Sequence, residues 1–248
     1  MTEDEIRATA FVSPLGGHTY PRPPFRFKNR EFLIITYRTD PEALRRVVPA
    51  PLVPREPVVK YEFIKMPDSS GLGDYMETGQ VIPVMLDGRP GNYTHRMFLD
   101  NAPAVFSGRE LFGFPKVFGK PKLKVRSDTL VGTLDISGVR VATATMGFKH
   151  HPVPVEPIEK SLSQPSYLVK IIPNADGSNR VLELVNCKIG NVSVKEAWSG
   201  PSSLELHPHW LSDMNQLPIL EILDTVHLVA DLTIESAETV HNYLDQNS

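Results

Sequence analysis

Leu72-Gly-Asp-Tyr-Met-Glu-Thr-Gly-Gln-Val-Ile-Pro-Val-Met-Leu86, Asp87-Gly88, Arg89-Pro-Gly-Asn92-Tyr-Thr-His-Arg-Met-Phe-Leu99: two runs rich in β-branched and aromatic residues flank an Asp-Gly pair. Asp-Gly between such runs is the turn chemistry of a two-residue hairpin, so Leu72–Leu86 pairs with Asn92–Leu99. Leu130–Ile136, Ser137-Gly138 and Val139–Phe148 repeat the arrangement. Working outward, further strands are expected at Glu31–Tyr37, Val58–Met66, Pro121–Ser127 and Tyr167–Ile172, then at Val181–Ile189, Asn191–Trp198 and Thr225–Glu235.

Helices are few. An amphipathic start covers Glu3–Val12. Thr39 and Glu42 stand at capping-box spacing, with Pro41 in the first turn and Pro49 as the stop. Asn101 caps a third helix that Gly113 ends. Residues 151–165 read as a proline-broken connection, 217–224 as helix or short strand, and 236–245 as a short helix at most. Strands this numerous with so little helix imply a mainly β fold, an antiparallel barrel or a curved sheet closing on itself with short peripheral helices. No repeat or low-complexity stretch marks a boundary, so 1–248 is expected to be a single domain.

Composition excludes several functions. The net charge of −3 leaves no footprint for nucleic acid or an anionic membrane. The longest apolar runs, Val81–Leu86 and Leu217–Leu223, fall far short of the ~20 residues of a membrane span. A single cysteine, Cys187, allows no internal disulfide. Its strand-like setting makes it a buried structural thiol, consistent with a cytoplasmic protein. His150-His151 and His207-Pro-His209 lack a third ligand at a recognisable spacing. There is no Gly-x-Ser-x-Gly elbow and no phosphate loop.

Lys116 is the residue with chemistry. Phe112, Phe114, Pro115, Val117 and Phe118 crowd it, so its amine either snorkels to water or is held in apolar surroundings. A neutral buried lysine is a nucleophile able to form a Schiff base with a carbonyl compound. Lys122 and Lys124, by contrast, alternate with Leu123 and Val125 as outward strand residues do. Glu62 and Glu77 sit inside strands that are apolar on much of both faces. Such carboxylates point to solvent, form a structural ion pair or line a cavity. Arg30, ahead of another apolar strand, is a candidate partner for either of them or for a substrate carboxylate.

Taken together, longer stretches carry a family likeness. Phe-Lys-Asn-Arg-Glu-Phe (27–32), Tyr-Arg-Thr-Asp-Pro-Glu-Ala-Leu-Arg-Arg-Val-Val-Pro (37–49) and Ser-Gly-Leu-Gly-Asp-Tyr-Met-Glu-Thr-Gly-Gln-Val-Ile-Pro-Val (70–84) resemble the acetoacetate decarboxylase family. So do Gly-Arg-Glu-Leu-Phe-Gly-Phe-Pro-Lys (108–116), Val-Ala-Thr-Ala-Thr-Met-Gly-Phe-Lys-His (141–150) and Glu-Ala-Trp-Ser-Gly-Pro (196–201). The resemblance runs in order along nearly the whole chain. It implies a curved antiparallel β-cone or barrel around a buried cavity, a homo-oligomer, a small β-keto acid substrate and neither metal nor organic cofactor. It makes Lys116 the Schiff-base residue and Arg30, Glu62 and Glu77 the polar lining; the apolar Phe114, Met97 and Phe27 are candidate walls, Met97 by family position as well.

The reaction implied is loss of CO₂ from acetoacetate to give acetone. A related Schiff-base aldolase, dehydratase or decarboxylase of a larger keto acid is the nearest alternative. A non-catalytic barrel that binds a small carboxylate is the more distant one. The chain departs from the family at one position: well-known members carry a second lysine after the reactive one, where this chain has Val117. Acetoacetate decarboxylase is itself a standard example of a lysine activated by desolvation or by a neighbouring cation. Without that second lysine, burial must do the work or another cation such as Arg30 must stand in. Burial suffices in magnitude, because it moves buried lysines by up to ~3–5 units from ~10.4.

Overall fold

Positive φ angles at Asp87 and Gly88 (49° and 76°), and at Ser137 and Gly138 (51° and 84°), show both hairpin turns formed as their sequences demand. The computed structural model describes residues 1–245. Its first elements are α1 (Glu3–Thr9), β1 (Phe25–Arg38), α2 (Pro41–Val47), β2 (Val53–Pro54), β3 (Val58–Met66) and β4 (Asp68–Ser69). Next come β5 (Tyr75–Leu86), β6 (Arg89–Leu99) and α3 (Ala102–Ser107), which runs into a π-helical turn (Gly108–Phe112). There follow β7 (Lys116–Phe118), β8 (Lys120–Arg126), β9 (Thr129–Ile136), β10 (Val139–Gly147), β11 (His151–Pro152) and α4 (Glu156–Leu162). The last are β12 (Ser166–Pro173), β13 (Asn179–Ser199), β14 (Ser202–Leu206), a 3₁₀ turn (Met214–Gln216) and β15 (Glu221–Asn242).

The larger sheet closes on itself. Its strands run β5-β3-β1-β15-β13-β12-β6, and β6 pairs back onto β5 to complete a barrel. All these pairings are antiparallel except β6 with β12. A second, antiparallel sheet of four strands, β14-β10-β9-β8, covers part of the outside. The mainly β, curved barrel with short peripheral helices is thus the fold observed.

Two-residue alternation divides the side chains of β1 and β3 between two cores. Leu33, Ile35 and Tyr37 of β1, with Val59, Tyr61 and Phe63 of β3, pack against Leu130, Leu134, Ala142 and Ala144 of the small sheet. Phe32 of β1 and Ile64 of β3 turn the other way, into the barrel, where they meet Tyr75, Met97, Leu168, Val185 and Leu228. A strand buried on both faces has no solvent side. Any charged residue on it at the inner positions must therefore face the barrel interior.

Four expectations need correction. Asp40 rather than Thr39 caps α2, its carboxylate accepting from the Ala43 amide at 2.6 Å. Residues 151–165 contain helix α4, because Pro157 occupies its first turn, where the missing N–H costs nothing. The expected strands 181–189 and 191–198 are one 21-residue strand, bent at Asn191 (φ 52°). The tail 236–242 is strand, not helix: Ser236 through Asn242 pair along Lys188 to Glu183 of β13, and that ladder overrides a weak local preference.

Candidate active site

Lys116 is placed by its own sequence context. Asn101 caps α3 through the Ala104 amide (2.9 Å), and Gly113 ends the π turn at φ 82°. A side chain at Gly113 would strike the Lys170 backbone at 2.7 Å. The chain then enters β7, where Lys116 pairs in parallel with Met97 and Arg109 donates to the Lys116 carbonyl at 3.1 Å. Gly108 matters most. A Cβ there would lie 2.5 Å from Lys116 Cδ and 3.3 Å from its Nζ, so the lysine side chain lies directly over the bare glycine.

Register sets out the rest in rows across the barrel wall. Glu62, Gly79, Met97 and Lys116 stand opposite one another on β3, β5, β6 and β7. Ile64 and Glu77 form the row on one side; Lys60, Val81 and Thr94 form the row on the other. Successive rows lie roughly 7 Å apart, two residues of strand rise. Together they line a cavity of about 130 Å³, to whose wall α4 contributes Ile158, Ser161 and Leu162. This is smaller than the roughly 300–1,000 Å³ of sites for drug-sized ligands.

All seven residues singled out in the sequence line this one cavity: Lys116, Glu62, Glu77, Arg30, Met97, Phe114 and Phe27. Lys116 is 5% exposed, and its Nζ lies 5.0 Å from the centre of the Phe114 ring and 3.3 Å from Glu77 Oε2. Arg30 Nη2 donates to the other Glu77 oxygen at 3.4 Å, and its guanidinium packs on Phe27 (4.9 Å) and Phe32 (4.8 Å). One buried carboxylate therefore serves two cations. Val117 lies outside this cavity, on the outer groove lined by Arg96, Arg109 and Trp210. A second cation in this cavity cannot come from that position; the other cations lining it are Arg30 and Lys60.

Glu62 has no cation within ion-pairing distance among the described residues, and its neighbours leave it in a desolvated wall. Burial raises its pKa, with Lys60 and Arg30 opposing and Glu77 assisting. A carboxyl group of this kind holds its proton more readily than an exposed one. Its folded-state value lies above its unfolded one, so its stabilising contribution is complete below the unfolded value and disappears as pH rises through the folded value. Glu62→Gln should thus leave the melting temperature nearly unchanged at about pH 4 and raise it at about pH 8, by ~2–4 °C per kcal/mol recovered. Thermal unfolding at the two pH values checks this; equal shifts at both would contradict it.

Four contributors escaped the sequence reading. Lys60 stands two residues before Glu62, and strand alternation alone puts them on one face. Tyr75 lines the wall with its phenol held protonated, by burial first and the Glu77 charge second. Gly108 carried a signal as a glycine inside a capped helix. The α4 residues carried none, because the helix itself was not anticipated. Burial pushes the Cys187 thiol up to about 12, which marks an inert structural cysteine.

Comparison with known proteins agrees with this geometry. The family model described as acetoacetate decarboxylase matches residues 9–244. Acetoacetate decarboxylase 2 of Mesorhizobium japonicum is 53% identical over 247 residues, covering 100% of this chain and 95% of that protein. A solved acetoacetate decarboxylase structure superposes with a TM-score of 0.95 at 49% identity, over 99% of this chain and 100% of the other. The acetoacetate decarboxylase of Legionella pneumophila gives 0.93 at 44% identity, over 99% and 98%. The chain belongs to the acetoacetate decarboxylase family.

Proposed function

We propose that the protein decarboxylates acetoacetate to acetone and CO₂ through a Schiff base on Lys116. The observation that carries this reading is the buried Lys116–Glu77–Arg30 cluster at the wall of a small cavity. Schiff-base formation uses Lys116 as its free amine. The free amine then attacks the ketone carbon, and loss of water leaves an iminium. That iminium accepts the electron pair of the breaking C–C bond as CO₂ departs, giving an enamine. Glu62, whose proton burial helps retain, delivers the proton to the enamine carbon, and water releases acetone.

Arg30 acts through Glu77 as a positioning residue. A firm clamp on the carboxylate would stabilise the ground state and slow the loss of CO₂, and the pairing observed spares the substrate such a clamp. Phe27, Met97 and Phe114 exclude water around the reacting atoms. The cavity volume favours a short keto acid over a larger one. The whole chain works as one domain, because β1 and β3 are shared between both cores. A homo-oligomer in the cytoplasm fits the exposed apolar Phe118, Ile171, Trp210 and Leu220 and the buried reduced Cys187. Among the described residues, no helix is long and apolar enough to cross a membrane.

Borohydride reduction in the presence of acetoacetate, followed by peptide mass analysis, tests the proposal. The expected result is a single stable adduct on Lys116, with acetone formed when reductant is omitted. No adduct would leave a cavity that only binds a carboxylate; an adduct without acetone would point to a related Schiff-base reaction.

A further inference from the structure

The cavity holds one cation that the mechanism above does not use. Lys60 projects from β3 in the row next to Glu62, on the side toward α4, and lines the same cavity. Its Nζ donates to Ser161 Oγ of α4 at 3.2 Å. Among the described residues no carboxylate lies within 4.0 Å of it, whereas Arg30 and Lys116 share Glu77. Among the described residues, Lys60 is thus the cation of this cavity that no carboxylate contacts. We propose that Lys60 is the substrate-binding residue that receives the carboxylate of the keto acid, making it the determinant of selectivity for anionic over neutral ketones. This inference rests on the Schiff-base reading of Lys116.

Geometry supports the placement. The Lys116 row and the Lys60 row are about 7 Å apart along the wall, a gap that the ketone-to-carboxylate segment of acetoacetate and a lysine side chain can span between them. Burial lowers the Lys60 pKa, with Glu62 opposing and Arg55 adding to the effect, and an arriving carboxylate favours the ammonium form by pairing with it. Sitting one row from the reacting carbon, Lys60 attracts the anion at the α4 end without surrounding it. As CO₂ forms, the negative charge leaves the carboxylate, and a single ammonium opposes that less than a bidentate clamp would. The bond to Ser161 holds Lys60 under α4 until substrate takes its place.

The test compares a charged with an uncharged ketone on the same variants. Lys60→Met should raise KM for acetoacetate roughly ten- to hundredfold, the range for losing a charged hydrogen bond, with a smaller change in kcat. Borohydride trapping of acetone on Lys116, which needs no carboxylate recognition, should stay within about twofold of wild type and also reports an intact site. Lys60→Arg, which keeps the charge, should restore most of the affinity for acetoacetate. An unchanged KM in Lys60→Met, or an equal loss of acetone trapping, would overturn the proposal. Failure of the wild-type protein to trap either ketone would instead remove the Schiff-base reading, and this inference with it.

Discussion

Lys116→Met should lower kcat for acetoacetate on the order of 10⁴-fold or more and abolish borohydride trapping, while leaving a folded protein. The size follows from the role: without the amine no iminium forms, and the electrons of the breaking bond have nowhere to go. Losses on that scale are typical when a covalent nucleophile is removed. Methionine is the chosen replacement because it is unbranched and close to lysine in length, so it fills the space against Phe114 and Gly108 without a void. It also leaves Glu77 paired with Arg30, so no buried carboxylate is abandoned. Steady-state acetone production with thermal unfolding on the same sample checks both halves. A variant that kept even a tenth of the activity would show that Lys116 is not the nucleophile.

Gly108→Ala should cost about 10²-fold in kcat/KM with the melting temperature unchanged or slightly higher. The added methyl would fall 2.5 Å from Lys116 Cδ and 3.0 Å from Cε, well inside contact distance. What stands in its way is a side chain rather than backbone, so the fold yields cheaply by swinging the lysine aside. Gly108 has helical backbone angles (φ −61°, ψ −46°), which alanine adopts readily and with less entropy to lose. The amine, however, leaves its place beside Glu77, and misplacing a catalytic group by about 1 Å costs on the order of 10²-fold. Activity together with melting temperature separates this outcome from ordinary destabilisation. Full activity would mean that the lysine reaches the ketone by another path.

These two residues show how unevenly the site was written into the sequence. Lys116 was legible because its neighbours are locally apolar, a signal confined to five or six positions. The hairpins at Asp87-Gly88 and Ser137-Gly138 were legible for a similar reason, since turn chemistry is local. Lys60 and Glu62 needed only the strand period, which was available but applied to one of them. The continuation of β15 to Asn242 was not legible, because its strand character comes from the β13 ladder rather than from its own residues. Nor was helix α4, whose proline reads as a breaker until its place in the first turn is seen. That Glu77 lies between Arg30 and Lys116 depends on a β1–β3–β5–β6–β7 register that no single stretch of sequence contains.

Strand β3 sends Val59, Tyr61 and Phe63 toward the small sheet and Lys60, Glu62 and Ile64 into the cavity. An insertion or deletion of one residue there would exchange the two sets, putting charge into the sheet–sheet core and aromatic rings into the cavity. Folding and chemistry on this strand are therefore inherited together, and selection cannot adjust one without disturbing the other. Helix α4 is under no such double constraint: none of its residues is fully buried, and it touches the cavity only with Ile158, Ser161 and Leu162. Drift in substrate preference among descendants of this chain should accumulate on α4, and the inner face of β3 should hold still.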